Sequence, residues 1–143
     1  MNHVRDLAAT LRKRYGTRDP FALCEHMDIA VLTADLPPVT KGIYFKIRGR
    51  RVINLNRSLP AEERRAVCAH ELGHALLHPT CHHPFLSVNT GLVPGRYERE
   101  ADYFSACLLL DEPERPYGEC TVEQLAAEYR LPPHAVALWA GQR

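Results

Sequence analysis

Residues 67–79 read VCAHELGHALLHP. Within them His70, Glu71 and His74 spell H-E-x-x-H. Residues four apart lie one above the other on a helix, so His70 and His74 can bring two imidazoles to one metal. Glu71 sits one step around and can reach a water held by that metal. A chain with eight histidines could produce the three fixed letters by accident. The surroundings argue otherwise. The motif lies in a strong helical pattern, follows a hairpin, and precedes a second acidic helix.

The motif helix has a start and a stop. Ser58 offers a short polar cap, Pro60 comes early, and Glu62 and Glu63 fall in the first turn, where the helix dipole favours acids. The pattern runs to His78 and stops near Pro79. Ala66, Ala69, Leu72, Gly73, Leu76 and Leu77 supply its apolar surface. A glycine inside a helix costs about 1 kcal/mol against alanine. A close neighbour at Gly73 would explain that cost, and so would simple tolerance.

Upstream, GIYFKIRGRRVINLN (42–56) reads as a hairpin. Ile43, Phe45 and Ile47 alternate with Tyr44, Lys46 and Arg48, Arg48-Gly49 supplies the turn, and Val52 and Ile53 begin the return toward Leu55. The basic run Lys46, Arg48, Arg50 and Arg51 reads as a solvated hairpin end. Before it, IAVLT (29–33) reads as a strand and ADLPPVT (34–40) as a turn-rich linker. A first helix spans about residues 3–15, with Val4, Leu7, Ala8 and Leu11 as its apolar stripe and Gly16 ending it. Asp19 caps a second helix with Pro20 at its first position, and Phe21, Leu23, Cys24 and Met27 are expected in the core.

Downstream, residues 80–96 contain two prolines, two glycines and no long period, so a loop is expected. A helix follows from about Tyr97 to Leu110, with Ala101, Phe104, Cys107 and Leu108 on its apolar side. Thr121 and Gln124 make a capping box for VEQLAAEYR. Pro132 and Pro133 open a last short helix through Trp139. Two short helices around a tight turn resemble helix-turn-helix. The second offers His134, Ala135 and Val136, with almost no basic or amide side chains for bases, so core completion is the expected role.

At 143 residues one domain, 1–143, is the simplest organisation. A formal net charge of +1 argues against broad electrostatic binding to nucleic acid. No stretch reaches the roughly 18 apolar residues of a membrane span. The first residues, MNHVRDLAATLRKRYG, lack the apolar run of a signal peptide. There are five cysteines and no C-x-x-C pair, which with the missing leader points to the cytoplasm. Cys24, Cys68 and Cys107 read as small core residues. Cys81 lies in a His-rich loop, where a metal role stays open.

A hydrolytic zinc commonly has three protein ligands and one open position. His70 and His74 supply two. His78 continues the spacing, but three turns at about 5.4 Å each rise too steeply for all three imidazoles to meet one ion. His78 is therefore expected beside the site. The metzincin continuation fails because residues 77 and 80 are Leu and Thr. The third ligand must come from elsewhere. Glu98 and Asp102 share a face of the later helix, so Glu98 could bind zinc while Asp102 holds a ligand imidazole in its tautomer. Glu100 points about 160° away from Asp102 and is expected to face solvent. His82 and His83 remain open as ligands or as donors to a developing oxyanion.

The stretch GIYFKIRGRRVINLNRSLPAEERRAVCAHELGHALLH, followed by EREADYFSACLL, resembles the ImmA/IrrE family of metallopeptidases over nearly the whole chain. That family pairs an H-E-x-x-H helix with a helix carrying E-x-x-A-N/D-x-F-A and an LLMP-like end. The matching residues are Glu98, Ala101, Asp102, Phe104 and Ser105, with Ser105 in place of the usual alanine and LLLDE in place of the LLMP-like end. The resemblance implies Glu98 as the zinc ligand. It implies an α+β fold, a compact minimal zincin-like domain with a small antiparallel or mixed sheet packed against the active-site helices.

The function expected is that of a Zn2+-dependent endopeptidase. Zinc acidifies water and polarises the scissile carbonyl, and Glu71 takes the water proton. A substrate segment could add to a sheet edge as a strand. The resemblance implies a helix-turn-helix transcriptional repressor as the protein substrate, with no membrane partner and no direct nucleic-acid binding. The rival reading is a regulator that uses the same metal fold to bind a repressor or DNA without cutting. An inert structural zinc site fits less well, because such sites are usually closed and rich in cysteine. Paired-metal phosphatase or nuclease chemistry wants more clustered carboxylates than the chain offers.

Overall fold

The computed structural model describes residues 1–79, 84–86, 95–112, 118 and 120–142. Helix α1 (Asn2–Tyr15) ends on Gly16, whose φ of 68° lets the chain leave in the left-handed conformation. Helix α2 (Pro20–His26) is capped by Asp19, whose side chain accepts from the Phe21 amide. Leu23 and Cys24 of α2 are buried, but Phe21 is 37% exposed, so its place in the expected core is corrected. Strand β1 (Ala30–Ala34) and the hairpin of β2 (Thr40–Ile47) and β3 (Arg50–Asn56) follow. Helix α3 (Ala61–Leu77) carries the H-E-x-x-H motif.

The sheet is mixed, in the order β1-β3-β2-β4. Strand β1 runs parallel to β3, and β2 runs antiparallel to β3. Strand β4 (Pro84–Leu86) pairs antiparallel with β2, a short strand within the segment expected to be loop throughout. Three residues are too few for a period to show in the sequence.

The hairpin turns at Arg48 and Gly49, as expected, both with positive φ. Its buried face is the one opposite Ile43, Phe45 and Ile47. Thr40, Gly42 and Tyr44 point inward, while Ile47 is 55% exposed. Gly42 gives the reason. A Cβ there would come within 2.8 Å of Val67 Cγ1 and 3.3 Å of Glu71 Cγ, so the glycine face is the one on which α3 lies. The Tyr44 hydroxyl then donates to the carbonyl of Pro79, tying β2 to the chain just beyond α3.

The approach to α3 also differs from expectation. Its N-cap is Pro60 and makes no side-chain hydrogen bond. Ser58 instead donates from its amide and hydroxyl to Asn56 Oδ1. Asn56 is buried and donates its amide to the carbonyl of Thr40, so it shapes the entry that Ser58 was expected to shape.

Ten consecutive residues of α3, Ala66–Ala75, are buried. A helix buried all round must be covered on every side. The sheet covers one side and helix α4 (Arg96–Leu110) another. Helix α4 is itself buried from Glu100 through Leu110. The expected capping box forms at Thr121 and Gln124 on helix α5 (Val122–Tyr129). Helix α6 (Pro133–Gly141) buries Ala135, Val136 and Trp139, completing the core as expected. No described helix is long and apolar enough to cross a membrane.

Asp111, at the end of α4, accepts from the Trp139 indole at 2.9 Å and lies 3.5 Å from the Arg5 guanidinium. It thereby joins α1, α4 and α6 at the point where the chain departs from the LLMP-like ending. Ser105, the other departure, donates to the Asp102 carbonyl at 2.8 Å, so its buried hydroxyl is satisfied.

Gly73 sits where α3 and α4 lie close together. A Cβ there would lie 3.1 Å from Phe104 Cδ1, 3.2 Å from Ala101 Cα and 3.4 Å from Ala101 O. Backbone cannot yield as a flexible side chain does. Gly73→Val should therefore cost about 1–3 kcal/mol by overpacking, read as a lower urea midpoint at unchanged slope. An unchanged midpoint would remove the close approach as the reason for glycine.

Candidate metal centre

His70 and His74 lie one turn apart on α3 with their ring centroids 4.9 Å apart. Both residues are buried, as is Glu71 between them. Ligand atoms of His70, Glu71 and His74 all fall within 4.8 Å of one another, the only such group of three or more among the described residues. The backbone contact at Gly73 and Ala101 brings α4 close enough for its first turns to meet this cluster. Glu98 reaches between the two imidazoles, with Oε2 3.0 Å from His70 Nε2 and Oε1 2.9 Å from His74 Nε2.

A zinc-sized ion fits this set of donors. Bonds of about 2.1 Å at tetrahedral angles place ligand atoms about 3.4 Å apart. The observed nitrogen–oxygen separations therefore need to open by only a few tenths of an ångström (from the same bond lengths). Two orphaned groups point the same way. Both carboxylate oxygens of Glu71 are buried without a hydrogen-bond partner, and His74 Nε2 is buried and forms no hydrogen bond despite its nearness to Glu98. Buried polar atoms in native proteins are rarely left so.

The protonation preferences fit a cationic centre. Burial alone would lower the His70 imidazole, but hydrogen bonds to Asp102 and Glu98 outweigh it and lift it to about 10. Burial tends to raise the Glu98 carboxyl, yet the pull of His70 and His74 holds it well below the ordinary range. Glu71 goes the other way. Burial pushes it up to about 8, with Glu98 and Asp102 adding repulsion against the opposing pull of His70. The pocket thus holds one carboxylate firmly ionised and a second one prepared to carry a proton.

The outer nitrogens of both imidazoles are engaged. His70 Nδ1 donates to Asp102 Oδ1 at 2.8 Å. Asp102 is buried, and its ionised form is favoured because bonds from His134 and His70 outweigh burial. His74 Nδ1 shares a 3.0 Å hydrogen bond with His78 Nδ1. His78 Nε2 lies 3.5 Å from Glu100 Oε1, and Glu100 Oε2 accepts from His3 at 2.9 Å.

Among the sequence-derived candidates, His70, Glu71, His74, His78, Glu98 and Asp102 come together here. His82, His83 and Cys81 lie outside the described residues. Glu100 is a correction, being 6% exposed rather than facing solvent. The expectation fails because His3 of α1 and His78 beyond α3 both lie against this carboxylate. The sequence reading missed His3 and His134. His134 meets Asp102 Oδ2 at 2.5 Å from another helix, and no spacing rule links residues so placed.

The family profile described as Peptidase M78, IrrE N-terminal-like domain, matches residues 24–138. The chain is 37% identical over 109 residues to a Bacillus phage phi105 protein named "Uncharacterized immunity region protein 2", covering 76% of this chain and 69% of the phage protein. It is 29% identical over 136 residues to the Bacillus subtilis (strain 168) protein named "Metallopeptidase ImmA", covering 90% of this chain and 79% of that protein. Motif, fold and family profile agree, and the chain belongs to the IrrE N-terminal-like family of M78 peptidases, as a zinc metalloendopeptidase of the ImmA/IrrE type.

Proposed function

We propose that the chain cleaves a helix-turn-helix transcriptional repressor, with His70, His74 and Glu98 holding one zinc and Glu71 acting as the general base. The observation that carries the mechanism is the buried Glu71 carboxylate, without a hydrogen-bond partner, beside two imidazoles that share the Glu98 carboxylate. The substrate reading rests on the family resemblance and on the named immunity region of the phage relative.

When bound, zinc supplies Lewis acidity, polarising the scissile carbonyl and bringing water near neutral pKa. The chain's own groups do the rest. Glu71 takes a proton from the attacking water and returns it to the leaving nitrogen, a task suited to a carboxyl whose burial raises its proton affinity. Asp102 holds His70 with a proton on Nδ1, so that Nε2, the nitrogen facing Glu98, is the one that would bind zinc. His78 does the same for His74. If the His74 proton is on Nδ1, His78 accepts it and carries its own on Nε2, toward Glu100. An extended substrate segment adds along β4, an edge of the sheet next to β2.

Elemental analysis tests the ligand set. Wild-type protein should carry one zinc per chain, and Glu98→Gln should lose most of it. Unchanged zinc in that variant would remove Glu98 from the set.

The base is tested at matched zinc occupancy. Glu71→Gln should fold, keep zinc and bind the repressor, while its cleavage rate falls by at least about 10²-fold. Gel and mass-spectrometric time courses against a cognate repressor, with chelated protein as blank, give the reading. Wild-type-like cutting by the variant would defeat the mechanism. Repressor binding and release from DNA without cutting by either protein would replace proteolysis with a binding role.

A further inference from the structure

Asp102 has two oxygens, and each is held from a different helix. Oδ1 accepts from His70 on α3, and Oδ2 meets His134 Nε2, in the first turn of α6, at 2.5 Å. The Asp102 side chain is 4% exposed, whereas the His134 side chain is 50% exposed. The His134 ring therefore adds little to the core. Its neighbours Ala135 and Val136, both fully buried, carry the packing of α6. What the ring does is aim an N–H at a buried carboxylate that is bonded on its other side to a zinc-site imidazole.

A carboxylate bonded through one oxygen can swing about its last side-chain torsion, which is broad and soft. Bonded through both oxygens from opposite sides, it cannot. We propose that His134 is a positioning residue of the metal site, fixing Asp102 and through it the plane and tautomer of His70. The inference rests on His70 being a zinc ligand. Partners behind a ligand histidine typically change metal affinity by about 10- to 100-fold, and His134 acts through such a partner. The same bond raises the His134 imidazole above its ordinary range despite partial burial, consistent with a ring that donates to an ionised carboxylate.

Two variants of similar length separate the donor from the bulk. His134→Gln keeps an N–H that can reach Asp102, and His134→Met keeps volume without a donor. Zinc dissociation constants for the full chain come from competition with a chromophoric chelator. Metal-free unfolding midpoints and the absorption spectrum of the cobalt(II)-substituted protein are read in parallel. Zinc binding of His134→Met should weaken by about 10-fold or more and its cobalt bands should shift, while His134→Gln recovers most of the affinity. In an Asp102→Asn background the step from His134 to Met should have little further effect, because its route to the metal is gone.

The proposal is overturned if His134→Met binds zinc as wild type does while its metal-free midpoint falls, since that is the signature of packing alone. An equal loss in the Asp102→Asn background would also overturn it, since His134 would then act by another route. Failure of the wild-type protein to bind zinc would instead defeat the metal-site reading on which the inference rests.

Discussion

The close approach of α3 to α4 at Gly73 and Ala101 governs the rest of the site. Gly73 lies between His74 and His70 along the motif helix, and Ala101 lies between Asp102 and Glu98 on the other. One backbone contact therefore sets the distance between two imidazoles and two carboxylates. Side chains of fixed length span a gap only if the gap is right. With a larger residue at 73, Glu98 would no longer reach both rings and Asp102 would draw away from His70. The glycine's cost in helix propensity is small beside what this registration makes available.

The centre is also expensive. Glu71, Glu98, Asp102 and Glu100 are gathered within a few turns of two adjacent helices, and three of them are buried. Each ion taken out of water costs several kcal/mol unless it is compensated. Compensation is unequal here. Asp102 is bonded on both oxygens, Glu98 faces two imidazoles, Glu100 has His3 and Arg96, and Glu71 has no hydrogen bond. That inequality separates their chemistry. The paired carboxylates are held ionised, and the orphan is left with a proton affinity near the working range.

Much of this was legible in the sequence, for identifiable reasons. Helix periodicity placed His70, Glu71 and His74 on one surface, and the i, i+4 relation of Glu98 and Asp102 put both on one face of α4, from which they meet opposite nitrogens of His70. Helix caps at Asp19 and Thr121, and the Arg48-Gly49 turn, depend on local chemistry and were readable for that reason. What was not legible shares a cause. The inward face of β2, the burial of Glu100 and the part played by His134 are all decided by what packs against an element from far along the chain. Alternation marks Ile43, Phe45 and Ile47 as one face, but only the presence of α3 against Gly42 decides which face is inside. Likewise, a histidine two residues into a short terminal helix carries no local sign of a bond to Asp102.

That bond also has a consequence for how the molecule comes into being on the ribosome. Translation delivers α3 first, then α4, and only later α6. A nascent chain that has exposed α4 already contains His70, His74 and Glu98, the three proposed zinc donors, while Oδ2 of Asp102 still awaits its partner. The second bond to Asp102 forms only when α6 docks and brings His134 to that oxygen. The meeting of α3 with α4 and the second hold on Asp102 are thus separated in time, by as long as the ribosome takes to add the residues between Leu110 and His134.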